Sequence, residues 1–269
     1  MRETIGKVRK DVKTWATVVA AVAAAVIADV PAARADEANA KQLLKAMSDY
    51  MAQQKAISFE FDSTLEVVTK DNQKLGLASS GRLTLNRPDK LHATRKGGFA
   101  NVEMTFDGKT VTLLGKNANA YAQVEAPGTI DQLVDVLRDK YGRPIPAGDL
   151  LMSDAYSQLM AEVTDTKDLG SGVIDGVECD HLAFRTEQAD WQIWIAQGSR
   201  PYPCRYTITS TKVPGGPQYS VDVHSWSTGA DVVTDSFKLQ IPANAKKMNP
   251  GDLPDFDELP RIFAEKKGK

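Results

Sequence analysis

Residues 57–85 read ISFEFDSTLEVVTKDNQKLGLASSGRLTL. The odd positions Ile57, Phe59, Phe61, Leu65 and Val67 are apolar, and the even positions Ser58, Glu60, Asp62, Thr64 and Glu66 are polar. Period-2 alternation of this kind is the pattern of a strand with one face buried and one face wet. The polar run Lys70-Asp71-Asn72-Gln73-Lys74 marks a turn, after which Leu75, Leu77, Leu83 and Leu85 resume on odd positions. Centred on Asn72, the hairpin pairs Phe59 with Leu85, Phe61 with Leu83 and Val67 with Leu77. Every apolar side chain then shares one face, so a one-residue slip is disfavoured.

The same logic extends outward from this hairpin. Val102, Met104 and Phe106 alternate ahead of Asp107-Gly108, a strong hairpin signal, which pairs Met104 with Val111 and Val102 with Leu113. Tyr121 and Val124 belong to a further short strand. After Asp175-Gly176, a second meander pairs Leu182 and Phe184 with Ile195 and Ile193, these with Tyr206 and Ile208, and those with Val223 and Val221. Phe237, Leu239 and Ile241 read as a closing strand. Three segments carry helical periodicity instead. In 38–54, Leu43, Met47, Tyr50 and Met51 share a face. In 129–141, Thr129 is the N-cap and Ile130, Leu133, Leu137 and Tyr141 form the stripe. The third runs over 149–163, with Leu151, Leu159 and Met160. The expectation is an α+β fold, a large antiparallel sheet with helices on one face. So long a sheet must curl.

The first residues read as an address rather than as fold. Arg2, Lys7, Arg9, Lys10 and Lys13 precede an apolar run of 14 residues from Trp15 to Ala28, then Ala33-Arg34-Ala35. That is the three-part pattern of a cleaved signal peptide over 1–35, and the run is short of the roughly 20 residues needed to span a bilayer. The expected product is a soluble periplasmic protein: one domain over 36–241, then a Pro- and Lys-rich tail over 242–269 with a short helix at 256–263. Removing the leader's net +3 from the formal −2 leaves about −5. A mildly acidic surface is a poor match for nucleic acid, whose phosphates call for a basic stripe.

GRLTLNRPDKL (81–91) resembles the Gly-x-Leu-x-x-x-Arg-Pro segment of the periplasmic lipoprotein carriers of the LolA/LolB superfamily. FDGKTVTLL (106–114), AISFEFDSTLEVV (56–68) and SFKLQIPANAK (236–246) resemble other segments of these carriers in the same order. SGVIDGVECDHLAF, DWQIWI and RPDKLHATRKGGFANVEMTFDGKT (171–184, 190–195 and 87–110) are similar to a family of predicted periplasmic proteins related to them. The resemblance implies an incomplete antiparallel barrel wrapped around helices, with a hydrophobic cavity for acyl chains. It implies that Arg87 latches the cavity mouth onto carbonyls near 142–148; as a residue, Arg87 equally suits a solvated strand end. The bulky rings these carriers prefer along this segment are replaced by Thr84, Leu91 and Ala93, and the chain is longer than the usual carrier, which leaves the cargo open.

The candidate ligand-binding residues are Phe59, Phe61, Leu83, Leu85, Arg87, Phe184, Trp191 and Ile193, with Trp191 open between core packing and cavity wall. Trp194 and Trp226 fall on the opposite face, an aromatic pair suited to a partner. The partners in view are lipid or lipoprotein acyl chains or, alternatively, an envelope protein read by the same fold as an interaction or sensor module. No nucleophile–base pair, phosphate loop or EF-hand loop is visible, so neither a cofactor nor an enzymatic role is expected. Cys179 and His181 share a strand face but lack the third and fourth ligands a zinc site requires. Cys179 and Cys204 sit in an oxidising compartment. Two strand spacings, about 9.6 Å, and opposite face parity argue against a disulfide, and the turn at 198–203 argues for one, so pairing is left open.

Overall fold

The computed structural model describes residues 37–141, 145, 147–232 and 237–252. The leader, the tail helix at 256–263 and most of the loop named as the target of the Arg87 latch lie outside them.

Helix α1 (Glu37–Gln53) is followed by strands β1 (Ala56–Val68), β2 (Lys74–Asn86), β3 (Lys90–Gly97), β4 (Asn101–Phe106), β5 (Thr110–Gly115) and β6 (Ala120–Glu125). A helical crossover carries α2 (Ile130–Asp135) and α3 (Ala155–Met160). Strands β7 (Asp165–Ile174), β8 (Val177–Arg185), β9 (Ala189–Ala196), β10 (Pro203–Ser210) and β11 (Gln218–Thr228) complete a second meander, and β12 (Lys246–Lys247) ends the series. All twelve strands form one sheet in the order β12-β6-β5-β4-β3-β2-β1-β11-β10-β9-β8-β7. Two meanders are thus joined where β1 pairs β11, and every described ladder is antiparallel except β12 on β6. The sheet does not close: β12 and β7 are its edges. The expected α+β class and large unclosed antiparallel sheet are what the structure has.

The apolar face holds the main core. Leu85, Leu91, Phe106, Val111, Leu182 and Ile193 of the sheet are buried with Ala40, Leu44, Met47 and Met51 of α1 and Ile130 and Leu133 of α2 in one cluster. The crossover from β6 to β7 carries its helices over this face. Thr129 caps α2 by accepting from the Gln132 amide, and the Gln132 side chain accepts from the Thr129 amide, the reciprocal pair of a capping box.

Every hairpin register differs from the sequence reading by two residues. Phe59 faces Leu83 and Leu65 faces Leu77; Met104 faces Leu113; Leu182 faces Ile193; Tyr206 faces Ile193 on one side and Val221 on the other. The shift is even, so each side chain keeps its face. Its cause is turn geometry. In the first hairpin Asn72 adopts φ +63°, its amide bonds to the Thr69 carbonyl, and the loop centres on Asp71. In the β4–β5 hairpin the two-residue loop is Gly108-Lys109 rather than Asp107-Gly108. Asp107 instead accepts from the amides of Lys109 and Thr110.

Three other expectations are corrected. The 129–141 helix is α only to Asp135 and continues as a π turn over Val136–Lys140. The 149–163 helix is split into a 3-10 turn at Gly148–Leu151 and α3, because Met152 is extended and Asp154 starts a new helix by accepting from the Ser157 amide. Phe237, Leu239 and Ile241 join no ladder among the described residues; the last strand is β12, after a turn in which the Ala245 amide bonds the Pro242 carbonyl.

Candidate functional site

On the apolar face of β1, β2 and β3, burial changes along the strands. Ile57, Leu85 and Leu91 are fully buried beneath the helices. Phe59 and Phe61 are half-buried, with ring centroids 6.3 Å apart. Gly81 lies opposite Phe61, and a Cβ there would sit 2.1 Å from the Thr94 carbonyl oxygen and 2.5 Å from the Phe61 ring. The missing side chain is what lets that ring lie flat across β2.

Beyond Phe61 the face opens. A groove of about 310 Å³ is lined by Leu65, Leu77, Ala78, Arg95, Phe99 and Ala100, with Ser63, Ser79 and three glycines completing it. Its volume is near the lower end of the roughly 300–1,000 Å³ usual for ligand sites. Phe99 is 49% exposed at its rim. Small residues line it: a Cβ at Gly98 would meet nothing within 4 Å, whereas one at Gly97 would sit 2.8 Å from the Ala78 carbonyl oxygen, so Gly97 answers to the close approach of β2.

The eight candidate residues do not come together around this groove. Leu83, Leu85, Phe184, Trp191 and Ile193 are buried in the main core. Phe184 stacks on Trp191 at 3.9 Å, and Trp191 meets Tyr206 edge-on at 5.8 Å. Phe59 and Phe61 lie between core and groove. Arg87 is at the β2–β3 corner, where its amide donates to the Lys55 carbonyl and the Arg87-Pro88 bond is cis. The Pro88 carbonyl accepts from the Ile130 amide at 2.8 Å, so this corner docks the first turn of α2. Among the described residues the buried Nε and Nη2 of Arg87 have no hydrogen-bond partner. Burial lowers its pKa and Asp131 partly offsets this.

Trp226 departs from the expected face. The β1–β11 register shifts between Ser58 and Glu60, and Ser225 takes φ +54°. This bulge brings Trp226 into stacked contact with Phe59 at 5.5 Å and with Tyr202 at 4.9 Å. Trp194 keeps its outward face, stacked on His181 at 4.0 Å with the Arg205 guanidinium 5.7 Å away. Among the described residues no three His, Cys, Asp or Glu side chains are grouped to hold a metal ion, and no helix is long and apolar enough to cross a membrane.

The family model for predicted periplasmic proteins designated DUF2092 matches residues 40–249. The chain belongs to the DUF2092 family. Comparison with curated proteins gives no match. Among solved structures, the DUF2092 chain is similar to the Mycobacterium tuberculosis lipoprotein LppX (15% identity, 71% of this chain and 96% of that one, TM-score 0.45). It is similar to LprF from Mycobacterium bovis (14% identity, 79% and 99%, TM-score 0.44). A third is the Pseudomonas aeruginosa MucA/MucB complex (15% identity, 75% and 61%, TM-score 0.44). The groove was not anticipated from the sequence; the run of small residues in the distal halves of β2 and β3 is the signal that points to it.

Proposed function

We propose that this chain is a periplasmic binding or carrier protein that takes an apolar chain, the acyl group of a lipid or of an acylated protein, along the open end of its concave face. The observation that carries the reading is the groove bounded by Leu65, Leu77 and Phe99, on the same face of β1 as Ile57, Phe59 and Phe61. An acyl chain entering there removes apolar surface from water at about 25 cal/mol per Å². Binding, not turnover, is the activity this supports.

Native mass spectrometry of protein purified from periplasm without detergent, followed by organic extraction, tests it. An adduct of acyl-chain mass is the expected result. The Gly98→Leu variant is the control, because Gly98 lines the groove and a Cβ there meets nothing within 4 Å. A side chain there displaces no packed atom, and the adduct is expected to weaken while the melting temperature holds. An adduct retained at full occupancy in Gly98→Leu removes the groove from the argument.

A protein-interaction module on the same fold is the second reading. Strand β7 is an unpaired edge, and its Leu169 and Val173 are 44% and 65% exposed. Such an edge offers backbone donors and acceptors to an added strand. Loss of a partner cross-link in Val173→Pro, with the acyl adduct absent from the wild type, would favour it.

A further inference from the structure

The sulfurs of Cys179 on β8 and Cys204 on β10 lie 2.7 Å apart, although β9 runs between their strands. A bulge makes this meeting. Pro203 faces Ile195 and Arg205 faces Trp194, so Cys204 is the extra residue of β10. In regular alternation it would share the inward face of Tyr206; as the bulged residue it turns outward, where Cys179 sits opposite Ala196. The small Ala196 side chain lets the two sulfurs approach over β9. Around them Ile174, Val177, Trp194 and Tyr202 form a second apolar cluster, separate from the main core, and both cysteines are essentially inaccessible.

We infer that Cys179 and Cys204 are joined by an intrachain disulfide in the mature protein. The two sulfurs need only a short approach to reach the roughly 2.05 Å of the bond. The oxidant is a protein disulfide of the oxidising compartment. The Cys179 thiolate attacks one of its sulfurs and releases one thiolate; the Cys204 thiolate then attacks the Cys179 sulfur of the mixed disulfide and releases the second. The chain gives up two protons and two electrons, and the donor is left as a dithiol. The exchange takes place before the cluster is closed, since in the folded protein burial raises the pKa of both thiols and removes the nucleophile. The bridge fixes β8 to β10 across β9, next to Tyr202, whose ring stacks on Trp226.

The test refolds the full mature chain in a glutathione redox buffer, then unfolds it and labels it with a maleimide. No label without reductant, two labels after reduction, and a monomer lighter by about 2 Da are expected. Two labels without reductant overturn the inference and leave a pair of buried thiols in hydrogen-bond contact. Reduction is expected to lower the melting temperature of the wild type by roughly 6–12 °C. The Cys179→Ala/Cys204→Ala variant serves as the reference, and an equal fall in both would overturn the inference as well.

Discussion

Ile193 separates a packed core from a ligand cavity. It is fully buried in the middle of β9, between Leu182 on β8 and Tyr206 on β10. Ile193→Ala removes three carbons. At about 0.8 kcal/mol per buried carbon the transfer loss is about 2.4 kcal/mol. A residual void of about 50 Å³ adds about 1.2 kcal/mol at ~24 cal/mol per Å³. The sum, about 3.6 kcal/mol, corresponds to a fall in melting temperature of roughly 7–14 °C for a chain of this size. Urea unfolding is the second assay: the midpoint should drop with the slope unchanged, because the surface exposed on unfolding is nearly the same. A loss below about 1 kcal/mol would refute the reasoning, since a side chain facing ligand space loses few packing partners. Ile193 would then be a cavity wall, as the carrier resemblance implies.

Two further outcomes follow from polar groups. Arg87→Met should raise stability by about 1–2 kcal/mol, because two desolvated donors without acceptors among the described residues are removed and only a partly exposed attraction to Asp131 is lost; a lower melting temperature would mean that Arg87 holds something closed. Asp107 titrates below the usual carboxylate range, chiefly because its carboxylate accepts from the Thr110 amide, with burial opposing. A depressed folded pKa gives stability that is present above the unfolded value of about 3.9 and is lost as pH falls through the folded one. The gap in melting temperature between wild type and Asp107→Asn should therefore be full at about pH 6 and shrink as the pH falls below about 4; a constant gap would count against the hydrogen-bonded turn.

Face was legible in the sequence, whereas register was not. Alternation is local, so Phe59, Leu83, Leu182 and Ile193 could be assigned to one side before any pairing was known. Register depends on loop conformation: Asn72 is of a type that tolerates the left-handed region it adopts, but that tolerance alone does not place the centre of the loop on Asp71. Bulges are less visible still. Ser225 reverses Trp226 and the extra residue at Cys204 reverses its thiol, and neither carries the glycine that usually marks such a site. The same gap affected the candidate site. Of the residues chosen from the best-patterned strands, Leu83, Leu85, Phe184, Trp191 and Ile193 pack in the core, while Phe59 and Phe61 lie at its margin. The groove lies at the ends of β1, β2 and β3 away from Ile57, Leu85 and Leu91, and which part of a sheet face is covered is a tertiary property that strand patterning does not encode.

The seam between β1 and β11 has a kinetic consequence. Hairpin contacts close loops of a few residues, but Ile57 meets Thr228 across 171 positions of chain. Closure entropy grows as (3/2)RT ln n, so this contact costs about 3 kcal/mol more to initiate than a five-residue turn. Each meander can zip from its own turns, while the seam waits for both. Until it forms, β1 and β11 are both open edges with an apolar face beside them, the surface on which unfinished β proteins associate with one another. The join that makes one sheet out of two is therefore also the step at which a crowded or slowly maturing population is most exposed.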